Sequence, residues 1–190
     1  LIKAKNNWNK KSAKKMINDV KSTVSVDIIK ELINNINFNS FNKQEQAALE
    51  KLKLWDGSNN LDEVAPTIYN KFIYNYLKNT FQDEMGEKLY QQFEETHMIK
   101  RVIADQMFSD KIIWWDDINT PARIETKSNI LSKSITETVA DLKMQLGPDI
   151  NYWTWDKVHI LEHNHPLGSV EFLRRFFNVG PFSVNGASEV

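Results

Sequence analysis

The sequence contains no cysteine, which excludes disulfide bridges, thiol catalysis and cysteine-ligated zinc together. It has no apolar run approaching the ~20 residues that a helix needs to cross a bilayer. A basic surplus is also missing: 24 Lys and Arg face 25 Asp and Glu, for a formal net charge of -1. A dedicated nucleic-acid binder would carry a strong positive excess, so that class is set aside. There is no Gly-rich phosphate loop and no Gly-x-Ser-x-Gly elbow, which removes two familiar catalytic signatures. No signal-peptide pattern is visible. The chain opens on Leu1 and closes at Val190 within a strand-like run, and we read it as a piece of something longer. Lack of cysteine fits cytosol and periplasm alike and does not choose a compartment.

What is present is 190 residues, one domain or large subdomain, long enough to bury a sizeable core. Lys3, Lys5, Lys10, Lys11, Lys14 and Lys15 form a basic run near the start. No aromatic platform accompanies it, so we read a solvated helix face in preference to a phosphate-binding arm.

Apolar periodicity organises most of the chain into helices. Met16, Val20, Val24, Ile28, Leu32 and Ile36 recur every four residues. The hydroxyl-rich, β-branched run Ser22–Val26 weakens helix propensity in their midst. Two helices or one bent helix are expected, with Ser25 capping the second half. The Asn-rich stretch from Asn34 to Ser40 is the following turn. Asn42 with Glu45 makes a capping box ahead of Ala48, Leu49, Leu52 and Trp55, and Gly57 stops that helix. A helix from near Asp62 tolerates Pro66 in its first turn and carries Ile68, Phe72, Ile73, Tyr76, Leu77 and Phe81. Shorter helical patterns cover Lys88–Glu95 and Met98–Phe108, and Lys111–Asp117 reads as an extended link. Ile124–Leu146 is a further helix, ended by Gly147-Pro148. Beyond it, alternation predicts a strand over Val158–Glu162, a short helix over Val170–Phe177 and a strand over Phe182–Val184. The fold class is therefore mainly α, with a small antiparallel β portion at the C-terminal end. The chain is one unit with a helical region, 1–147, and a strand-rich region, 148–190.

The stretch Asn151–Gly168 gathers two tryptophans and three of the four histidines. On a strand, His159, His163 and His165 fall on one face, and three imidazoles there offer a zinc site with an open position. Against zinc, no carboxylate stands at a confirming spacing and Pro166 ends regular pairing at that point. Structural or hydrogen-bonding histidines are the preferred reading, with a zinc-binding hydrolase as an alternative. Asp116-Asp117 is a candidate acid–base pair, but neighbours in an extended segment point apart, so a turn or capping role is favoured. Asp83-Glu84 is read as equally bland. A non-enzymatic helical interaction module, with aromatic faces binding a partner, also stays open.

Several segments in order carry a resemblance. They are Met16–Ser22, the Leu49-x-x-Leu52-x-x-Trp55-Asp56-Gly57 turn, Ala65–Asn70, Trp114–Asp117 followed by Glu125-Thr126, and Trp153-Thr154-Trp155-Asp156-x-x-His159 followed by His165–Gly168. Together they resemble the penicillin acylase (penicillin amidase) family of N-terminal nucleophile hydrolases, in the C-terminal part of its β chain. Asn18 stands where that family has Gln, and Asp156 stands where it has Gly.

The resemblance implies a parent enzyme that hydrolyses an N-acyl amide bond by acyl transfer, within an α-β-β-α sandwich. In such enzymes a serine exposed by self-cleavage attacks, with its own α-amine, of unperturbed pKa about 8, as general base. That nucleophile and the oxyanion asparagine would lie upstream of Met16. No residue here takes either role; Asn6, Asn7 and Asn9 do not match the context. The expectation is thus no catalytic, cofactor-binding or metal residue in this chain, and no cofactor. The expected partners are the remaining parts of the precursor and a small N-acyl amide, with no nucleic acid and no membrane span. The resemblance also implies a periplasmic or secreted location. His159 would reach at most the rim of an active site.

Overall fold

The computed structural model describes residues 7–96, 99–109 and 113–187, with nothing stated of the side chains at 99–101. The expectations placed on Leu1 to Asn6, on Met98, on Lys111 and on Val190 fall outside these residues. The described structure is mostly helical (65%) with one two-stranded antiparallel sheet near the C-terminus.

The periodic segments form helices, with boundaries set by side-chain caps. Helix α1, Lys10–Ile17, starts at Asn9, whose side chain accepts from the Ser12 amide. Helix α2 spans Thr23–Asn35, so the run from Met16 to Ile36 is two helices, as expected. Its cap is Ser22 and not Ser25. Ser22 lies in extended backbone, and its Oγ accepts from the Ser25 amide. Its own amide is held by the Gly57 carbonyl, a tertiary bond that fixes where the helix begins. The β-branched run therefore forms the first turn of α2 instead of interrupting it. Helix α3, Lys43–Leu54, has the predicted capping box: Asn42 Oδ1 accepts from the Gln44 and Glu45 amides, and Glu45 accepts from the Asn42 amide. It ends at Leu54, because Trp55 is already extended.

Helix α4, Ala65–Glu94, carries Pro66 in its first turn and consists of two helical pieces, the second holding the helix expected at Lys88–Glu95. The two pieces join at Gly86, whose φ of 70° and ψ of 159° bend the rod. Helix α5 covers Ile99–Met107. Residues Ile113–Trp115 form a 3-10 turn where the sequence reading placed an extended link. Helix α6 runs Lys127–Leu146 and ends at Gly147, as predicted, but starts three residues after Ile124 because Thr126 is its cap.

Helices α2, α3, α4 and α6 close around one core built from Leu32, Leu49, Leu52, Ile68, Phe72, Tyr76, Leu131 and Ile135. Each such fully buried side chain contributes roughly 1.5–3 kcal/mol of transfer free energy. The facing surfaces of α4 and α6 are also tied by polar pairs. Asn75 donates to Thr138 and Asp141, and Asn79 donates to Ser134 and Glu137. Lys127, buried at the start of α6, pairs with Glu31 of α2 and lies 5.7 Å from the Trp115 ring centroid.

Past α6 the chain passes through two 3-10 turns, Ile150–Tyr152 and Trp155–Lys157, then strand β1, Ile160–His163. A third 3-10 turn, Pro166–Ser169, leads to helix α7, Glu171–Phe177, and strand β2, Val179–Ser183. The first strand starts two residues later than the alternation predicted, and the second starts three residues earlier. Leu161 pairs with Phe182 and His163 with Val179, with a register shift between them.

Candidate functional site

The tryptophan- and histidine-rich stretch is held by hydrogen bonds to loops distant in sequence. Trp153 is fully buried and its indole N–H donates to the Gly147 carbonyl at 2.9 Å. The Trp155 indole donates to Gly186 at 2.8 Å. Buried indoles need such acceptors. The amides of Trp155 and Asp156 donate to the carbonyls of Glu63 and Leu61, both at 2.9 Å.

The same junction collects the turn after α3. Asn59, 2% exposed, donates from its side chain to the Val20 carbonyl, and its own carbonyl accepts from the Gly186 amide. Leu61 donates to the side chain of Asn185. Lys21 pairs with Asp56 at 2.7 Å. That ion pair, with the Ser58 hydroxyl and amide, holds the Asp56 carboxyl down at about 2. Gly57 has a φ of 90°, and a Cβ on it would meet the Ser22 carbonyl oxygen at 2.2 Å. Glycine is therefore required where the two backbones meet.

The three candidate histidines go different ways. His159 precedes β1 and stacks on Trp155, ring centroids 4.5 Å apart. Its Nδ1 lies 2.7 Å from the Val184 carbonyl, which can only accept, so Nδ1 carries the proton. His165 does the reverse: Nδ1 accepts from the Leu167 amide at 3.1 Å, placing the proton of the neutral ring on Nε2. Its ring stacks on Phe177 at 5.3 Å. His163 sits in β1 beside the register shift. The single face expected of a regular strand is broken by that shift and by the 3-10 turn at Pro166. Among the described residues no three His, Asp or Glu side chains converge as metal ligands.

The acidic candidates organise a loop. Asp116 accepts from the Glu125 amide at 3.1 Å, and Glu125 accepts from the Asp117 amide at 3.2 Å and from the Thr120 hydroxyl. This is the turn role expected of Asp116-Asp117. Desolvation opposes ionisation of Glu125, but Thr120, the Asp117 amide and Arg123 outweigh it and hold its carboxyl low. Asp83 and Glu84 are less bland than their sequence context implied. Asp83 accepts from the Ile118 amide at 2.9 Å and clasps the acidic loop to α4. Burial, then the neighbouring carboxylates of Asp83 and Asp117, raise Glu84 to about 7.

Polar clefts open on the surface of the described residues, among them the following. One, of about 360 Å³, lies beside the Gly86 bend between Lys78, Asp83, Glu87, Asp117 and Lys133. Another, of about 530 Å³, lies between Glu162, His165, Ser169 and Arg174. Its wall is one network: Arg174 grips Glu162 through two nitrogens, and Asn178 donates to Glu162 and Asn164 while accepting from the His165 amide. This network and the role of Asn59 went unread in the sequence, since asparagines and lone ion pairs carry no spacing signature. No helix among the described residues is long and apolar enough to cross a membrane.

The geometry brings together segments that stand far apart in sequence, from Val20 and Lys21 through Asn59 and Trp155 to Gly186. The family model described as penicillin amidase matches residues 1–190. Among curated proteins, the acyl-homoserine lactone acylase QuiP of Pseudomonas putida is 30% identical over 143 residues, covering 73% of this chain and 17% of that protein. QuiP of Pseudomonas fluorescens is 28% identical over 134 residues, covering 64% of this chain and 15% of its own length. QuiP of Pseudomonas syringae pv. syringae is 26% identical over 117 residues, or 59% of this chain and 14% of that protein. The chain thus spans well under a fifth of the length of the curated relatives it matches. With its whole length matched, the chain belongs to the penicillin amidase family.

Proposed function

We propose that this chain is a non-catalytic, mostly helical portion of a larger amidohydrolase that cleaves N-acyl amide bonds. The family match over residues 1–190 carries this reading. The attacking group would be an N-terminal serine elsewhere in the parent, freed by self-cleavage, with its α-amine as base. The geometry supports that division of labour. The family-like motif residues Asp56, Gly57, Asp116, Glu125, Trp153, Trp155 and His159 are engaged in bonds or contacts that hold loops together. The parent would place these helices and strands against an α-β-β-α sandwich in the periplasm or outside the cell. The names of the QuiP relatives point to acyl-homoserine lactones as the first substrates to try.

The test is amide hydrolysis. The processed parent should release homoserine lactone from an N-acyl-homoserine lactone, or the free amine from another N-acyl amide, while this chain alone releases none. Turnover by the purified chain, at a rate unchanged by further purification, would overturn the proposal.

A further inference from the structure

The sequence contains a single Asn-Gly step, Asn185-Gly186. Such a step carries chemistry of its own. The backbone nitrogen that follows an asparagine can attack the side-chain carbonyl carbon, and glycine, lacking a Cβ, leaves that approach open. Asparagine is counted among the thermolabile residues. The attack needs two freedoms: the backbone amide must give up its proton, and the side chain must turn its Cγ onto that nitrogen.

The fold withholds both. The Gly186 amide donates to the Asn59 carbonyl at 2.9 Å, and the Gly186 carbonyl accepts from the Trp155 indole at 2.8 Å. Asn59, Trp155 and Gly186 are all buried, so water does not compete for these bonds. Asn185 Oδ1 accepts from the Leu61 amide at 3.0 Å, and the side chain cannot turn without releasing it. One residue earlier, the Val184 amide donates to the His159 carbonyl at 3.2 Å, and the Val184 carbonyl lies 2.7 Å from His159 Nδ1. Residues 184–186 are thus pinned to loops distant in sequence. Asn185 itself is exposed, so water can reach it and ammonia can leave.

We infer that Asn185-Gly186 is a latent modification site, closed while its junction with Asn59, Leu61 and Trp155 is made and reactive once that junction opens. The reaction is a hydrolysis with water as co-reactant, and nothing is oxidised or reduced. The Gly186 nitrogen bonds to Asn185 Cγ, its proton passes to Nδ2, the Cγ–Nδ2 bond breaks and ammonia leaves a cyclic succinimide. Water then opens the ring. Cleavage of the new N–Cγ bond leaves an aspartate at position 185. Cleavage between the nitrogen and the original backbone carbonyl leaves an isoaspartyl link, with the main chain running through the former side chain. The first product keeps an acceptor for Leu61. The second lengthens the main chain by a methylene ahead of Gly186, so its amide and carbonyl cannot both return to Asn59 and Trp155. A reversible local opening then becomes a one-way loss of the junction. This property belongs to the chain itself and is independent of which bond the parent cleaves.

Peptide mapping by mass spectrometry follows conversion at position 185 during incubation at mildly alkaline pH, which favours loss of the amide proton. The folded chain should convert at least about 100-fold more slowly than a free peptide of residues 181–190, and the chain in denaturing urea should match the peptide. Trp155→Phe keeps an aromatic ring and removes the indole donor. It should speed conversion about tenfold or more and raise hydrogen exchange of the Gly186 amide in step. Where that variant is too unstable to read, sub-denaturing urea on the unaltered chain takes its place. Conversion and Gly186 exchange should then rise together while the amides of α3 and α6 stay protected. Asn185→Gln, with its carbonyl carbon one bond further out, should stay unconverted throughout. The purified isoaspartyl form should refold without protection at Gly186. Conversion of the folded chain at the peptide's rate would overturn the inference, as would an inert site in both the peptide and the unfolded chain. So would faster Gly186 exchange without faster conversion, or full Gly186 protection in the isoaspartyl form.

Discussion

At Gly57 a single hydrogen in place of a side chain lets two backbones meet. Its φ of 90° disfavours any L-residue, and a Cβ would lie 2.2 Å from the Ser22 carbonyl oxygen, which cannot swing aside as a side chain would. The Ser22 amide also donates to the Gly57 carbonyl, so the clash would fall on the cap of α2 as well. Gly57→Ala should therefore destabilise the chain by about 2–4 kcal/mol, read as a drop in the urea midpoint at unchanged slope. The sequence marked Gly57 as a helix stop, although α3 ends at Leu54 without it. Its role comes from a partner 35 positions away, which local propensity does not encode. The histidines teach a similar lesson. Alternation put His159, His163 and His165 on one face, but the register shift and Pro166 turn break that face, and His159 and His165 take separate partners.

Among the elements, long apolar stripes were the most legible feature. The stripe of α4, the capping box of α3 and the stop at Gly147 all follow from periodicity and cap chemistry. Boundaries decided by tertiary bonds were not legible. Ser22 and Ser25 offer the same hydroxyl, and only the bond to Gly57 selects Ser22 as the cap. The second piece of α4 was legible as a separate helix at Lys88–Glu95, and the non-helical dihedrals of Gly86 mark where the two pieces meet. A Cβ at Gly86 would meet nothing within 4 Å, in contrast to Gly57. The only obstacle there is the backbone conformation. Gly86→Ala should cost about 1–3 kcal/mol if the bend is kept, or less if α4 straightens. Circular dichroism separates the outcomes, because straightening raises helicity while retained strain only lowers the melting temperature. A loss as large as that of Gly57→Ala would show that packing, and not φ alone, demands glycine at the bend.

For the whole molecule, titrating groups set opposite limits on the pH range of stability. Asp56, paired with Lys21 and bonded to Ser58, has a folded pKa near 2 against an ordinary 3.8. Burial works against ionised Asp141, but the Lys71 ammonium and the Asn75 amide outweigh it and also hold its carboxyl low. The folded state binds these protons less tightly than the unfolded chain. Their contribution is present above about pH 4 and is lost as pH falls through the folded values. Glu84 has the opposite sign. Burial and the carboxylates of Asp83 and Asp117 raise it to about 7 from 4.5, so the folded state holds its proton more tightly. Its contribution is complete below about pH 4.5 and disappears as pH rises through 7. Stability should therefore peak on the acid side of neutrality and decline toward pH 8. Glu84→Gln keeps the shape of the carboxyl and removes the titration. The variant should match the parent sequence near pH 4.5 and exceed it at pH 8 by about 1 kcal/mol, a figure discounted for the solvent beside Glu84. Urea midpoints measured at about pH 3, 5.5 and 8 read both limbs, and Glu84→Gln should flatten the upper one alone. An upper limb that persists in the variant would assign it to another group. The approach of Asp117 to Glu84, which local sequence does not encode, would then have no bearing on the upper limb.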